Sequence, residues 1–185
     1  MKRKLTYDEI IQTATELVEE KGMENLSVHE ISSRLGVKTP SLYNHVKGMD
    51  DIRSGVKKFV LKFVAQGMNE AAAGKDSYEA VCDIAIKYRL LAKEHLMLFK
   101  VMNGDPKHEN IEHLAVLFKQ ILEPLNLKNE DEVTFIRLYY ASIKGFCELD
   151  GHYHIDEVSP DYSYDELIKT MIQLLGNYAK RGKKQ

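Results

Sequence analysis

Only two cysteines, Cys82 and Cys147, occur in the 185 residues, far apart and in no metal-ligand spacing. That excludes a disulfide framework and points to a reducing compartment. No run approaches the ~18 apolar residues that a membrane span needs. The first residues, MKRKLTYDEII, are basic but turn acidic at once, without the apolar core of a secretory signal. A cytoplasmic protein that does not enter a membrane is the expectation. An excess of positive charge is missing too: 26 Lys and Arg stand against 28 Asp and Glu, a formal net charge of -2. Any claim of a polyanionic partner must therefore rest on local pattern. Also absent are a Gly-rich phosphate loop, a nucleophile–base pairing and a ligand triad. Those absences argue against an enzyme, and neither a cofactor nor a metal is expected.

Apolar residues are present in strength, at 44%, which excludes disorder, and they recur at helical spacing. No stretch alternates and none repeats, so the chain reads as all-α. Ile10, Ala14, Leu17 and Val18 make one face of a first helix, opened by a Thr6/Glu9 capping box and ended by Gly22. A second capping box, Ser27 with Glu30, opens a short helix carrying Ile31 and Leu35. Gly36 supplies a tight turn, and Thr39-Pro40 reads as N-cap and first residue of another short helix. The next helix begins at Gly48, with Asp50 and Asp51 at its positive end. Ile52, Val56, Phe59, Val60, Phe63 and Val64 form its stripe. Further helices are expected at about 77–94, 95–103, 107–125, 131–149 and 163–181, with one long irregular stretch at 150–162.

Residues 27–46 thus read as helix, glycine turn, helix, the plan in which the second helix enters a DNA major groove. Between Ile31 and Met49 lie Arg34, Lys38, His45 and Lys47, and no Asp or Glu. Thr39, Ser41 and Asn44 can bond base edges or phosphates, while Tyr43, His45 and Lys47 can reach phosphates. Leu42 and Val46, four apart, would face inward. Against this, residues 1–50 carry seven Lys and Arg to eight Asp and Glu, so only a local basic patch survives.

The run LSVHEISSRLGVKTPSLYNHVKGMDDI resembles the DNA-binding domain of the TetR (tetracycline repressor) family, over about residues 5–55. The resemblance implies a helix-turn-helix domain at 1–48 and a larger helical domain at 49–185 for effector binding and dimerisation. It implies DNA contacts from Ser27, His29, Lys38, Thr39, Pro40, Ser41, Tyr43, Asn44, His45 and Lys47, and leaves Lys2, Arg3 and Lys4 as either an arm on DNA or a solvated terminus. The family commonly has Lys where this chain has Met49, which places one backbone contact in doubt. YASIKG (140–145) has the spacing of a Trp-x-x-x-His-Gly motif but replaces both the Trp and the His.

Beyond residue 95, Phe99, Met102, Phe118, Phe135, Tyr139 and Phe146 could line an effector cavity or simply form core. The faces carrying Val133, Ile136, Tyr140, Leu167, Met171, Leu174, Leu175 and Tyr178 suit a four-helix homodimer interface, with packing inside one subunit as the competing reading. Glu148, Asp150, His152, His154 and Asp156 are possible metal ligands, but a loop this polar is usually solvated. Both cysteines read as core thiols. The expected protein is a dimeric regulator, most simply a repressor that a small, largely apolar molecule releases from operator DNA. The rivals are a constitutive DNA-binding module without effector and a small all-α enzyme.

Overall fold

The computed structural model describes residues 5–103, 109–150 and 158–182, and among these there is helix but no strand. The helices are α1 (Tyr7–Lys21), α2 (Val28–Leu35), α3 (Thr39–Leu42), α4 (Met49–Ala72), α5 (Ser77–Glu94), α6 (Leu96–Asn103), α7 (Glu109–Leu122), α8 (Asn129–Leu149) and α9 (Pro160–Gly182). Short 3-10 turns lie at Met23–Asn25 and Glu123–Leu125. No helix among the described residues is long and apolar enough to cross a membrane. Lys2, Arg3, Lys4, His152, His154 and Asp156 lie outside the described residues.

Two compact units make up the chain. The first runs to Val64 and takes in α6; the second holds residues 65–92 and α7, α8 and α9. This division differs from one at residue 48/49. Ile52, Val56 and Val60 on the first half of α4 are fully buried, and α6 packs chiefly on α1, so both belong to the first core.

In the first unit, the Thr6 side chain accepts the Glu9 N–H while the Glu9 carboxylate accepts from the Thr6 backbone, which fixes where α1 starts. Gly22 closes it by donating its N–H to the Val18 carbonyl at 2.8 Å. Ile10, Ala14, Leu17 and Val18 are buried, as their spacing requires. α4 crosses α1 closely at Gly55, where an added Cβ would lie 2.6 Å from the Tyr7 hydroxyl and collide with Ile11. The expected α4 stripe is narrower than the sequence implied: Phe59 is 41% exposed. Phe63 instead meets the His95 ring edge-on, centroids 5.0 Å apart, and His95 Nδ1 lies 3.4 Å from Glu19 of α1. These contacts tie the start of α6 to α1 and α4.

In the second unit, the buried apolar side chains include Ala80, Val81, Ile84 and Ala85 of α5, Leu114, Phe118 and Leu122 of α7, Phe135, Tyr139 and Ile143 of α8, and Ile168 and Leu175 of α9. Two buried phenols are satisfied at neighbouring turns of α5. Tyr139 of α8 donates to the Val81 carbonyl at 2.7 Å and Tyr164 of α9 to the Ala85 carbonyl at 2.6 Å. Both side chains thus carry apolar bulk and still pair their hydroxyls, as buried tyrosines must. α9 begins at Pro160, earlier than the expected 163, because Pro is tolerated in the first turn of a helix.

Candidate nucleic-acid interface and effector region

The Ser27 hydroxyl accepts the Glu30 N–H at 3.3 Å and donates to the Glu30 carboxylate at 2.8 Å, and that carboxylate also pairs with Lys21. α2 therefore starts under a side-chain cap tied back to α1. It ends at Gly36, whose φ of 67° is left-handed. Gly36 N–H reaches the Ser33 carbonyl at 3.1 Å and Val37 N–H the Ser32 carbonyl at 3.0 Å. This pair of bonds turns the chain, and a side chain at position 36 would strain it.

α3 is shorter than the expected 39–46 helix. Its residues are Thr39–Leu42, and the chain then continues in turns, with His45 and Val46 N–H both donating to the Leu42 carbonyl. The N-cap is Lys38, which offers no side-chain acceptor, so Thr39 is not the cap that the sequence implied. Ser32 spends its one hydroxyl proton on the His29 carbonyl at 2.9 Å. At the 3.0 Å Ser32–Thr39 contact, Thr39 must therefore donate. That bond fastens α3 to α2 and leaves Thr39 half-buried. Leu42 is fully buried and Val46 4% exposed, so the turn is held from inside.

Tyr43, at 54% exposure, leads an outward set that includes His29, Lys38, Pro40, Asn44, His45 and Lys47. Ser41 is half-buried. Ser27 is occupied by its cap, which leaves its helix-end position rather than its hydroxyl to meet an anion. The acid-free stretch does not stay acid-free in space. Glu20 of α1 grips Arg34 through two bonds, 2.9 and 2.7 Å, and the Arg34 guanidinium holds the Glu20 carboxyl below its usual range. Lys38 and Lys47 carry no ion pair among the described residues and supply the outward positive charge. The Lys47 N–H donates to Asp51 at 2.9 Å, which pins the approach to α4, and Met49 is half-buried at its start.

The aromatic effector candidates are not gathered in one place. Phe99 and Met102 sit on α6 in the first unit, 4% and 5% exposed. Phe118 and Phe135 each lie against Tyr139 in the second unit, ring centroids 4.9 and 5.8 Å apart. Phe146 lies against Tyr164 at 5.0 Å. The second unit also has an open groove of about 570 Å³, lined by Asn69, Ala72, Tyr78, Leu117, Gln120 and Leu125 among others. The sequence carried no sign of it, because its walls are the ends of α4 and α7 and the start of α5.

Of the dimer candidates, Leu175 is fully enclosed within one chain, and Ile136, Met171 and Tyr178 nearly so, at 7–8% exposure. These four are internal to one chain, Ile136 on α8 and the other three on one stripe of α9. Val133, Tyr140, Leu167 and Leu174 keep partial exposure. Leu138, which the sequence reading missed, is 44% exposed on the outward side of α8, on the same stripe as exposed Ala141. Glu148 lies 3.8 Å from Lys144 and Asp150 pairs with Arg89, so neither of these two possible metal ligands stands apart from a cation. Cys82 and Cys147 are free thiols of intermediate exposure.

A capped helix, a left-handed glycine turn and a second short helix held by inward Leu42 and Val46 define a helix-turn-helix DNA-binding protein. Residues 10–54 match the bacterial regulatory proteins of the tetR family, and the chain is a TetR-family transcriptional regulator. It is 24% identical over 172 residues to the uncharacterized HTH-type transcriptional regulator Rv0681 of Mycobacterium tuberculosis, covering 89% of this chain and 79% of that one. It is 46% identical over 44 residues to the Escherichia coli tetracycline repressor protein class C, covering 24% of this chain and 20% of that one. Its fold is shared by the Streptomyces coelicolor TetR family protein ActR, solved in complex with actinorhodin. The TM-score is 0.68 at 18% identity, over 96% of this chain and 99% of that one.

Proposed function

We propose that the chain acts as a homodimeric, effector-responsive repressor that occupies operator DNA through the α2–α3 surface. The observation carrying this reading is the outward set around the turn, Tyr43, Asn44, His45, Lys38 and Lys47, mounted on inward Leu42 and Val46. Tyr43, His45, Lys38 and Lys47 take phosphates and position the protein. Asn44 and Ser41 read base edges, with Pro40 and Thr39 against the groove wall. His29 and the α2 start at Ser27 meet the adjoining backbone. Two copies would place α3 in successive major grooves, roughly 34–36 Å apart.

Dimerisation uses the part-exposed faces of α8 and α9. Val133, Leu138, Tyr140, Leu167 and Leu174 form its apolar area. Gly145, inside α8, costs about 1 kcal/mol relative to Ala, and apart from its neighbours and its own helix backbone nothing among the described residues lies within 4 Å of an added Cβ. Close approach of a second helix gives that glycine a use.

A small, largely apolar molecule in the second unit would favour a subunit arrangement with the wrong half-site spacing. ActR, of like fold, holds actinorhodin. α4 runs without a break from the first unit into the second and is the natural relay. The burial of Phe118 and Phe135 against Tyr139 favours one alternative, a constitutive regulator without effector. Binding-site selection from random duplexes, repeated in the presence of candidate ligands, tests both. An enriched, two-fold symmetric site lost on ligand addition is the expected result. A symmetric site that no ligand moves favours the constitutive reading, and no enriched site at all overturns both.

A further inference from the structure

One buried cation serves neither the DNA-facing surface nor the groove. Arg89 of α5 is 8% exposed, in the otherwise apolar stretch YRLLA. Its Nε donates to Asp150 at 2.8 Å, and a terminal nitrogen lies 2.8 Å from Asp161. Asp150 is the C-cap of α8, and Asp161 is in the first turn of α9. The guanidinium carbon lies 4.6 Å from the Tyr164 ring centroid and 5.5 Å from that of Phe146, so one aromatic from each of the same two helices covers its faces. Burial works against the charged guanidinium, but the two carboxylates outweigh it and raise its affinity for the proton.

Two features argue that this cluster is not there for stability alone. A buried ion pair is often replaced by apolar residues of similar volume at no loss of stability. An acid at a helix C-terminus also opposes the helix dipole, so Asp150 does α8 no service by itself. What the guanidinium does provide is direction: its Nε bonds Asp150 while a terminal nitrogen pairs with Asp161 by charge, so one planar group reaches both helices. Together with the Tyr139 and Tyr164 hydroxyl bonds two turns and one turn earlier, it fixes α8 and α9 to α5 at three successive levels.

We propose that Arg89 is a positioning residue for dimerisation, clasping the end of α8 and the start of α9 to α5 so that their outward faces meet a second copy in one arrangement. This rests on the dimer reading given above. Arg89 pairs with Asp150 and Asp161 and lies against Phe146 and Tyr164, none of them among the outer-face residues, so its effect on dimer affinity passes through the helices it holds.

The test compares wild type with Arg89→Met, Arg89→Lys, Asp161→Asn and the Arg89→Met/Asp161→Asn pair. Sedimentation equilibrium gives the dimer dissociation constant, and circular dichroism melting reports the fold. Asp161 is largely exposed, its side chain at 74%, so Asp161→Asn folds even where Arg89→Met does not. The expected results are a dimer weakened about tenfold or more in Arg89→Met, partial rescue in Arg89→Lys, and a smaller loss in Asp161→Asn with an unchanged melting temperature. In the pair, the two losses should not add. If folded Arg89→Met and Asp161→Asn dimerise like wild type, the clasp has no positioning role and the proposal fails. Should Arg89→Met not fold, an Asp161→Asn dimer of wild-type affinity is enough to overturn it. A monomeric wild type would instead bring down the dimer reading.

Discussion

Leu42→Ala isolates what the interior contributes to the DNA-facing surface. Leu42 is fully buried, and α3 comprises only Thr39–Leu42. A helix that short has no stability of its own, because nucleation alone is unfavourable. Its position therefore depends on Leu42, Val46 and the Thr39–Ser32 bond. Removing the side chain beyond Cβ at a buried leucine costs about 2–5 kcal/mol, a large share of the ~5–15 kcal/mol that holds a typical domain. The sequence has no tryptophan, so urea unfolding is followed by far-ultraviolet circular dichroism. DNA binding is read by fluorescence anisotropy, at a temperature where the variant is still folded. The expected outcome is a lower urea midpoint together with a loss of affinity for every duplex, although no DNA-facing atom has changed. A midpoint shift worth less than about 1 kcal/mol with intact DNA binding would refute the reasoning, since α3 would then be held by something other than its core residues.

Three further outcomes follow from the same structure. Tyr43→Ala should weaken binding to all sequences alike, while Asn44→Ala should relax discrimination at one base position by about 1–3 kcal/mol, both read by quantitative selection. Burial pushes the phenols of Tyr139, Tyr164 and Tyr88 well above their usual pKa, so the folded protein keeps these protons where the unfolded chain releases them. Their contribution is complete below about pH 10 and declines above it, by about 1.4 kcal/mol per pH unit for each tyrosine; urea midpoints that stay flat from pH 9 to 11 would contradict this. Gly145→Leu should leave the monomer fold intact, because its surroundings are open, yet weaken the dimer in sedimentation.

The legible parts of the sequence were those fixed by local chemistry. Thr6 with Glu9, Ser27 under Glu30, and Gly36 between α2 and α3 each act within a few residues, so spacing alone places them. Inward Leu42 and Val46 were readable for the same reason. The contacts that escaped are non-local. Glu20 meets Arg34, and Arg89 meets Asp150 and Asp161, across sequence separations that no periodicity encodes. Thr39 was misassigned as a cap because Ser32, seven residues earlier, takes its hydroxyl. On α9, Leu167 and Leu175 read as one apolar face, but only packing shows that Leu175 is internal and Leu167 at its edge. The aromatics offered as one cavity lining fell into two units, since ring type says nothing about which core a ring joins.

The most direct test of operator binding through α2 and α3 is an ethylation-interference footprint of the wild-type protein on a selected duplex. The account predicts two clusters of critical phosphates, related by two-fold symmetry, with centres about one helical turn, ~34–36 Å, apart. Lys38→Ala and Lys47→Ala should each remove symmetric contacts and lower the salt dependence of affinity by about one released ion per half-site. A single cluster would contradict the dimeric arrangement, and a footprint unchanged by both lysine variants would contradict the assigned DNA-binding surface.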